Sequence, residues 1–130
     1  MVNTQDIKTV TICPAQETAI VATSQESKSI SYMTRHRLER FTKELGERYN
    51  VLRLPSGNIK SRDKANTVLL IEQNDTRVYI WPKALFSILK TGNDLIVTAF
   101  GMTVKVDRCE HISKEDLIDA YTGLIEIRGT

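Results

Sequence analysis

Apolar positions along this chain recur with two different periods. In KTVTICP and ETAIVATS, Val10 and Ile12 alternate with threonines, while Ile20 and Val21 form a small apolar pair beyond a PAQE turn. A period of two is the signature of a half-buried strand, so the chain is expected to open on a β-hairpin. SQESKS, residues 24–29, is polar and reads as a loop or linker. From Thr34 the period lengthens: Leu38, Phe41, Leu45 and Tyr49 are spaced by three, four and four, which places them in one stripe of an α-helix. The other faces of that helix carry Arg35, His36, Arg37, Arg40, Lys43, Glu44, Glu47 and Arg48. Glu39 with Lys43 and Glu44 with Arg48 stand in the favourable order for pairs four apart, which leaves Arg35 and Arg37 in the first turn uncompensated.

VLRL, TVLLIEQ and RVYIW follow as β-branched and aromatic runs separated by turn residues, the reading of a three-stranded meander. Pro82 and Gly92 bracket KALFSILK as start and stop signals of a short helix. DLIVTAF and MTVKVD form a second hairpin about Gly101. Near the end, Ser113 and Asp116 stand as a capping box with aspartate in the glutamate position, Ile112 and Leu117 as a hydrophobic staple, and Gly123 as a helix stop before a last strand, LIEI. The expected order is ββ-α-βββ-α-ββ-α-β, an α+β fold with about three helices on a mostly antiparallel sheet. We expect residues 1–130 to form a single compact domain, with an N-terminal hairpin and polar loop over 1–30 and an α+β core over 34–130.

Length and composition agree with that expectation. The chain has 130 residues, 41% of them hydrophobic, enough for one core. No apolar run approaches the ~18 residues of a membrane span, and MVNTQDIKTV lacks a secretory pattern, so a soluble cytoplasmic protein without membrane contact is expected. Cys13 and Cys109 are far apart and read as reduced thiols, and His36 and His111 are too scattered to suggest a metal site. Cys109-Glu110-His111 supplies no tetrahedral set by itself. No cofactor is expected.

Charge changes the picture more. Residues 1–33 hold 2 basic and 3 acidic side chains, 34–66 hold 9 and 4, and 67–130 hold 7 and 9, so the middle third carries +5 in a chain of net +2. Concentrated positive charge points to an anionic partner, either nucleic acid or an acidic protein surface. The centre of this segment is LPSGNIKSRDKAN, residues 54–66, the most turn-prone and least apolar stretch of the chain. It lacks the paired glycines and lysine-serine of a phosphate-cradling loop. Three readings remain open: a solvated hairpin tip, a hairpin or wing that binds an anion, and a catalytic loop.

The catalytic reading rests on element order. A helix with Glu39, a strand, a loop with Asp63, a strand ending in Glu72, a further strand, a helix and two strands resemble the PD-(D/E)XK nucleases, especially archaeal Holliday-junction resolvases, over residues 36–106. That resemblance implies two carboxylates and a lysine around Mg²⁺. Gln73 and Asn74 follow Glu72 where the family has its lysine, which implies a degenerate, non-catalytic relative. The leading expectation is therefore a small non-catalytic binding or regulatory protein that contacts nucleic acid or another polyanion through Arg35, Arg37, Arg53, Lys60, Arg62 and Lys64. A protein–protein adaptor or inhibitor, using a sheet edge such as LIEI or the apolar set Trp81, Leu85 and Phe86, is the alternative. If the helical stripe is buried, replacing Leu45 by Ala lowers stability by about 2–4 kcal/mol through lost burial and the cavity left behind. A thermal melt unchanged by that substitution refutes the stripe.

Overall fold

The computed structural model describes residues 7–13, 18–23, 27–30, 40, 43, 44, 47–57, 67–121 and 125–129. These residues supply ten strands: β1 (Ile7–Cys13), β2 (Thr18–Thr23), β3 (Ser27–Ile30), β4 (Asn50–Leu54), β5 (Thr67–Gln73), β6 (Thr76–Ile80), β7 (Leu85–Thr91), β8 (Asp94–Ala99), β9 (Met102–Val106) and β10 (Glu126–Gly129). One helix, α1 (Lys114–Tyr121), lies between β9 and β10. Arg40, Lys43, Glu44, Glu47 and Arg48 are also helical. All five are exposed, and Arg40 Nε meets Glu44 Oε1 at 3.5 Å, a pair four apart. Of the stripe Leu38, Phe41, Leu45 and Tyr49, only Tyr49 lies among the described residues.

The strands form two sheets. One has six strands in the order β3-β2-β1-β6-β5-β4, the other four in the order β10-β7-β8-β9. Most neighbours are antiparallel, but β4 pairs with β5, and β10 with β7, in parallel. The expected opening hairpin is β1 and β2, and β1 continues the sheet by pairing with β6. The hairpin about Gly101 is β8 and β9.

The main core lies between the sheets. Leu52, Leu54, Leu69, Ile71 and Ile80 of the larger sheet pack with Leu85, Ile88, Leu95, Val97, Ala99 and Val106 of the smaller one, and Leu117, Ala120 and Tyr121 of α1 join them. The opposite face of the larger sheet is buried too: Val10, Ile12, Val68, Leu70, Tyr79 and Trp81 form a second cluster, with Tyr49 and Val51 packed against it. Tyr49 meets Trp81 edge-to-face, with centroids 5.9 Å apart and planes at 79°. From Thr67 to Ile71, strand β5 is therefore buried on both faces. That is why TVLLI is a continuous apolar run and not an alternating one.

Three sequence expectations are corrected. KALFSILK is not a helix: Pro82–Ala84 make a single 3₁₀ turn and Leu85–Thr91 continue as β7, so the expected three helices are too many. A bulge between Leu85 and Ser87 inserts one residue, so that Leu85 and Ile88 face the same core three positions apart, as they would on a helix. Gly92, the presumed helix stop, has φ +61° and opens the two-residue turn that joins β7 to β8 through the Thr91↔Asp94 pair. SQESKS is not wholly a linker either, because Ser27–Ile30 add to β2 as an edge strand through backbone bonds that its polar side chains do not advertise. Finally, VLRL and TVLLIEQ are not part of a meander. They run parallel in the register Asn50↔Thr67 to Leu54↔Ile71.

In the tail the cap and the staple match their sequence signals, whereas Gly123 lies outside the described residues and the last strand is Glu126–Gly129, displaced toward the C-terminus from the expected LIEI. The Ser113 Oγ accepts the Asp116 N–H at 3.0 Å, which makes Ser113 the N-cap of α1, and Ile112 and Leu117 are both buried as the staple requires. Strand β10 depends on Gly129: its φ is +109°, and a Cβ there would collide with the Lys90 carbonyl across the β10–β7 pair.

The two-sided burial of β5 is testable. Leu69 faces the inter-sheet core and Leu70 the second cluster. Leu69→Ala and Leu70→Ala are each expected to lower unfolding free energy by about 2–5 kcal/mol in urea titrations. A loss confined to Leu69→Ala shows that the outer face is not a true core.

Candidate functional site

Parallel pairing of β4 with β5 redefines the basic stretch. The chain leaves the sheet at Leu54 and re-enters at Thr67, which pairs beside Asn50 at the opposite end of β4. This is a crossover connection, not the hairpin tip or wing expected from its turn residues. Its start is fixed. Pro55 and Ser56 turn, the Gly57 N–H donates to the Arg53 carbonyl at 2.7 Å, and a Cβ at Gly57 would collide with that carbonyl. His111 Nε2 lies 2.9 Å from the Gly57 carbonyl, so it carries the proton and donates, tying this turn to the loop before α1.

Of the six expected contact residues, Arg53 lies among the described residues; Arg35, Arg37, Lys60, Arg62 and Lys64 lie outside them. Alternation along β4 sends Leu52 and Leu54 to the inter-sheet core and Arg53 to the other face. There its Nε meets Glu72 Oε1 at 2.7 Å. Glu72 emerges on the same face at the end of β5, just beyond Leu70, and its Oε2 lies 3.6 Å from Arg77 Nε. Arg77 sits directly opposite Glu72 on β6, where the Asn74–Asp75 turn, with φ of 53° and 59°, sets the register.

The three side chains thus form a row across β4, β5 and β6 with one carboxylate between two guanidinium groups. Their side chains are 51%, 29% and 37% exposed for Arg53, Glu72 and Arg77, so the row is open to solvent. The buried Leu70, Tyr79 and Ile12 lie beside it on the same face. Net charge at the row is positive. Sequence reasoning missed Arg77, whose position depends on the pairing of β5 with β6 and not on any local motif.

Each oxygen of Glu72 faces a guanidinium group, so both are engaged in ion pairs. Glu39 and Asp63, the other acids of the nuclease resemblance, lie outside the described residues. Among the described residues, no group of three or more His, Cys, Asp or Glu could hold a metal ion. No helix of these residues is long and apolar enough to cross a membrane. Comparison with protein-family models, curated proteins and solved structures finds no match for this chain.

The remaining candidates are structural. Trp81 and Leu85 are buried, so the expected apolar docking set reduces to Phe86, which is 55% exposed at the β7 bulge. Cys13 and Cys109 are both free thiols. Cys109 is fully buried, and its carbonyl accepts from the buried Lys90 ammonium at 3.2 Å. Burial pushes the Cys109 thiol up from 9 to about 11; the Lys90 charge pulls it down, and Asp94, Glu110 and Asp107 add to the rise. Burial also raises the Tyr121 phenol well above its ordinary range.

An alkaline weakness follows. The unfolded Cys109 thiol loses its proton near pH 9 and the folded one near 11. Its contribution to stability is therefore complete below pH 9 and lost as pH rises to about 11. Urea midpoints are expected to fall between pH 8.5 and 10.5, with a shallower fall in Cys109→Ala. Equal pH slopes for the two proteins refute the assignment.

Proposed function

We propose that this protein is a small non-catalytic binding or regulatory domain that contacts nucleic acid through the basic segment 34–66. The observation that carries the reading is Arg53: it stands exposed at the sheet end where the basic crossover leaves β4, on the same open face as Arg77. Segment 34–66, which includes Lys60, Arg62 and Lys64, holds nine basic and four acidic side chains, a positive surplus that the rest of the chain lacks. Such contacts neutralise backbone phosphates and do not read sequence. Hydrogen bonding from His111 to Gly57 supports the reading by fixing where the crossover begins.

A second reading, a protein–protein adaptor, draws on Phe86, exposed at the bulge, and on β10 as the end strand of its sheet. Salt separates the two, because counterion release makes nucleic-acid affinity fall steeply with ionic strength.

Replacing Lys60, Arg62 and Lys64 together by Ala is expected to weaken binding to duplex DNA, single strands or RNA and to reduce the salt slope by roughly two to three units. The melting temperature of this variant, measured alongside, should match that of the parent. Anisotropy titrations at low salt in which the parent binds none of these polymers refute the proposal and leave the adaptor reading in front.

A further inference from the structure

We infer that Arg53 and Arg77 form a phosphodiester subsite in which Glu72 occupies the place of the phosphate until a ligand displaces it. The inference deepens the nucleic-acid reading and rests on it. Its basis is the row across β4, β5 and β6. Arg53 Nε reaches Glu72 Oε1 at 2.7 Å, a full charge-assisted hydrogen bond, whereas Arg77 Nε stands 3.6 Å from Oε2, too far for one. One carboxylate thus holds two guanidinium groups toward a common point and satisfies them unequally. Arginine donors have the same planar fork for carboxylate and for phosphate, so an anion that binds Arg53 and Arg77 meets donors already aimed at it.

The surroundings favour exchange. Glu72 is partly exposed, and both arginines are more so, which leaves the carboxylate free to swing into water. The strand positions preceding the charged ends are buried: Leu70 before Glu72 on β5, and Tyr79 beyond Arg77 on β6. The guanidinium groups therefore project from a fixed sheet and not from a mobile loop. Glu72 then works as an internal competitor: it orders both arginines in the free protein and lowers affinity by the contacts a phosphate has to break. Removing its charge without removing its shape should tighten binding, an outcome opposite to that of removing either arginine.

The test compares the parent with Glu72→Gln and Arg77→Gln, titrating a short duplex DNA at low salt by anisotropy. Glu72→Gln is expected to bind roughly two- to fivefold tighter, the scale of one exposed ion pair released, and Arg77→Gln to bind weaker by a similar factor. In parallel, inorganic phosphate is titrated while the arginine Nε–H resonances of Arg53 and Arg77 are followed by NMR, with larger shifts expected in Glu72→Gln than in the parent. If the parent binds DNA but Glu72→Gln binds no better, the stand-in role is overturned while the nucleic-acid reading survives. If no protein binds DNA but phosphate moves both resonances in Glu72→Gln, the nucleic-acid reading fails and the anion subsite stands. Phosphate that moves neither resonance overturns the subsite.

Discussion

Strand β5 is buried on both faces, and the rest of the molecule is arranged around that fact. Leu69 and Ile71 on one side meet the smaller sheet and α1, while Val68 and Leu70 on the other meet Tyr79, Trp81 and Tyr49. A strand in this position can expose charge only where it runs out of cover. For β5 that point is Glu72, half-buried at the end of a run whose preceding five residues are all buried. The charged row forms there for the same reason: Arg53 and Arg77 belong to the two strands that flank β5, and each faces outward beyond the apolar cluster. The site is thus a boundary effect of the core, placed by packing before any ligand is considered.

Much of the fold was legible because local chemistry and tertiary position agree. The capping serine, the staple and the turn residues of the β5–β6 and β8–β9 hairpins carry their meaning in a few adjacent residues, and each does in the structure what its spacing implies. β7 was illegible for a specific reason. Its bulge puts Leu85 and Ile88 on one face at a spacing of three, its preceding Pro82 imitates a helix start, and its following Gly92 imitates a helix stop. Every local cue for a helix was present in a segment whose backbone pairs on both sides, with β8 and with β10. β3 fails in the opposite sense, since its membership in the sheet comes from bonding to β2 and leaves no trace in its polar side chains.

Strand direction is the other property that periodicity does not encode. Alternation and β-branching look the same whether neighbours run parallel or antiparallel, and Gly57-Asn58 resembles the tip of a hairpin. Only the register of β4 against β5 shows that the basic stretch is a return crossing. The candidate site was legible to the same degree: the charge surplus of residues 34–66 is visible in composition, whereas Arg77 lies outside that segment and reaches it through register.

The position of β4 at the end of its sheet gives the crossing its consequence. An edge strand presents unpaired backbone groups that invite another chain, and charged side chains together with proline are the usual means of discouraging it. β4 has both, Arg53 within it and Pro55 just after it. Those residues therefore have a structural reason to be present without any ligand, and an ion pair with Glu72 would complete that role. A second guanidinium on the same carboxylate is what the structural reason leaves unexplained, because protecting the β4 edge does not require Arg77 on the far side of β5. On the proposal above, that surplus cation is what would let an anion gain more at this edge than it displaces.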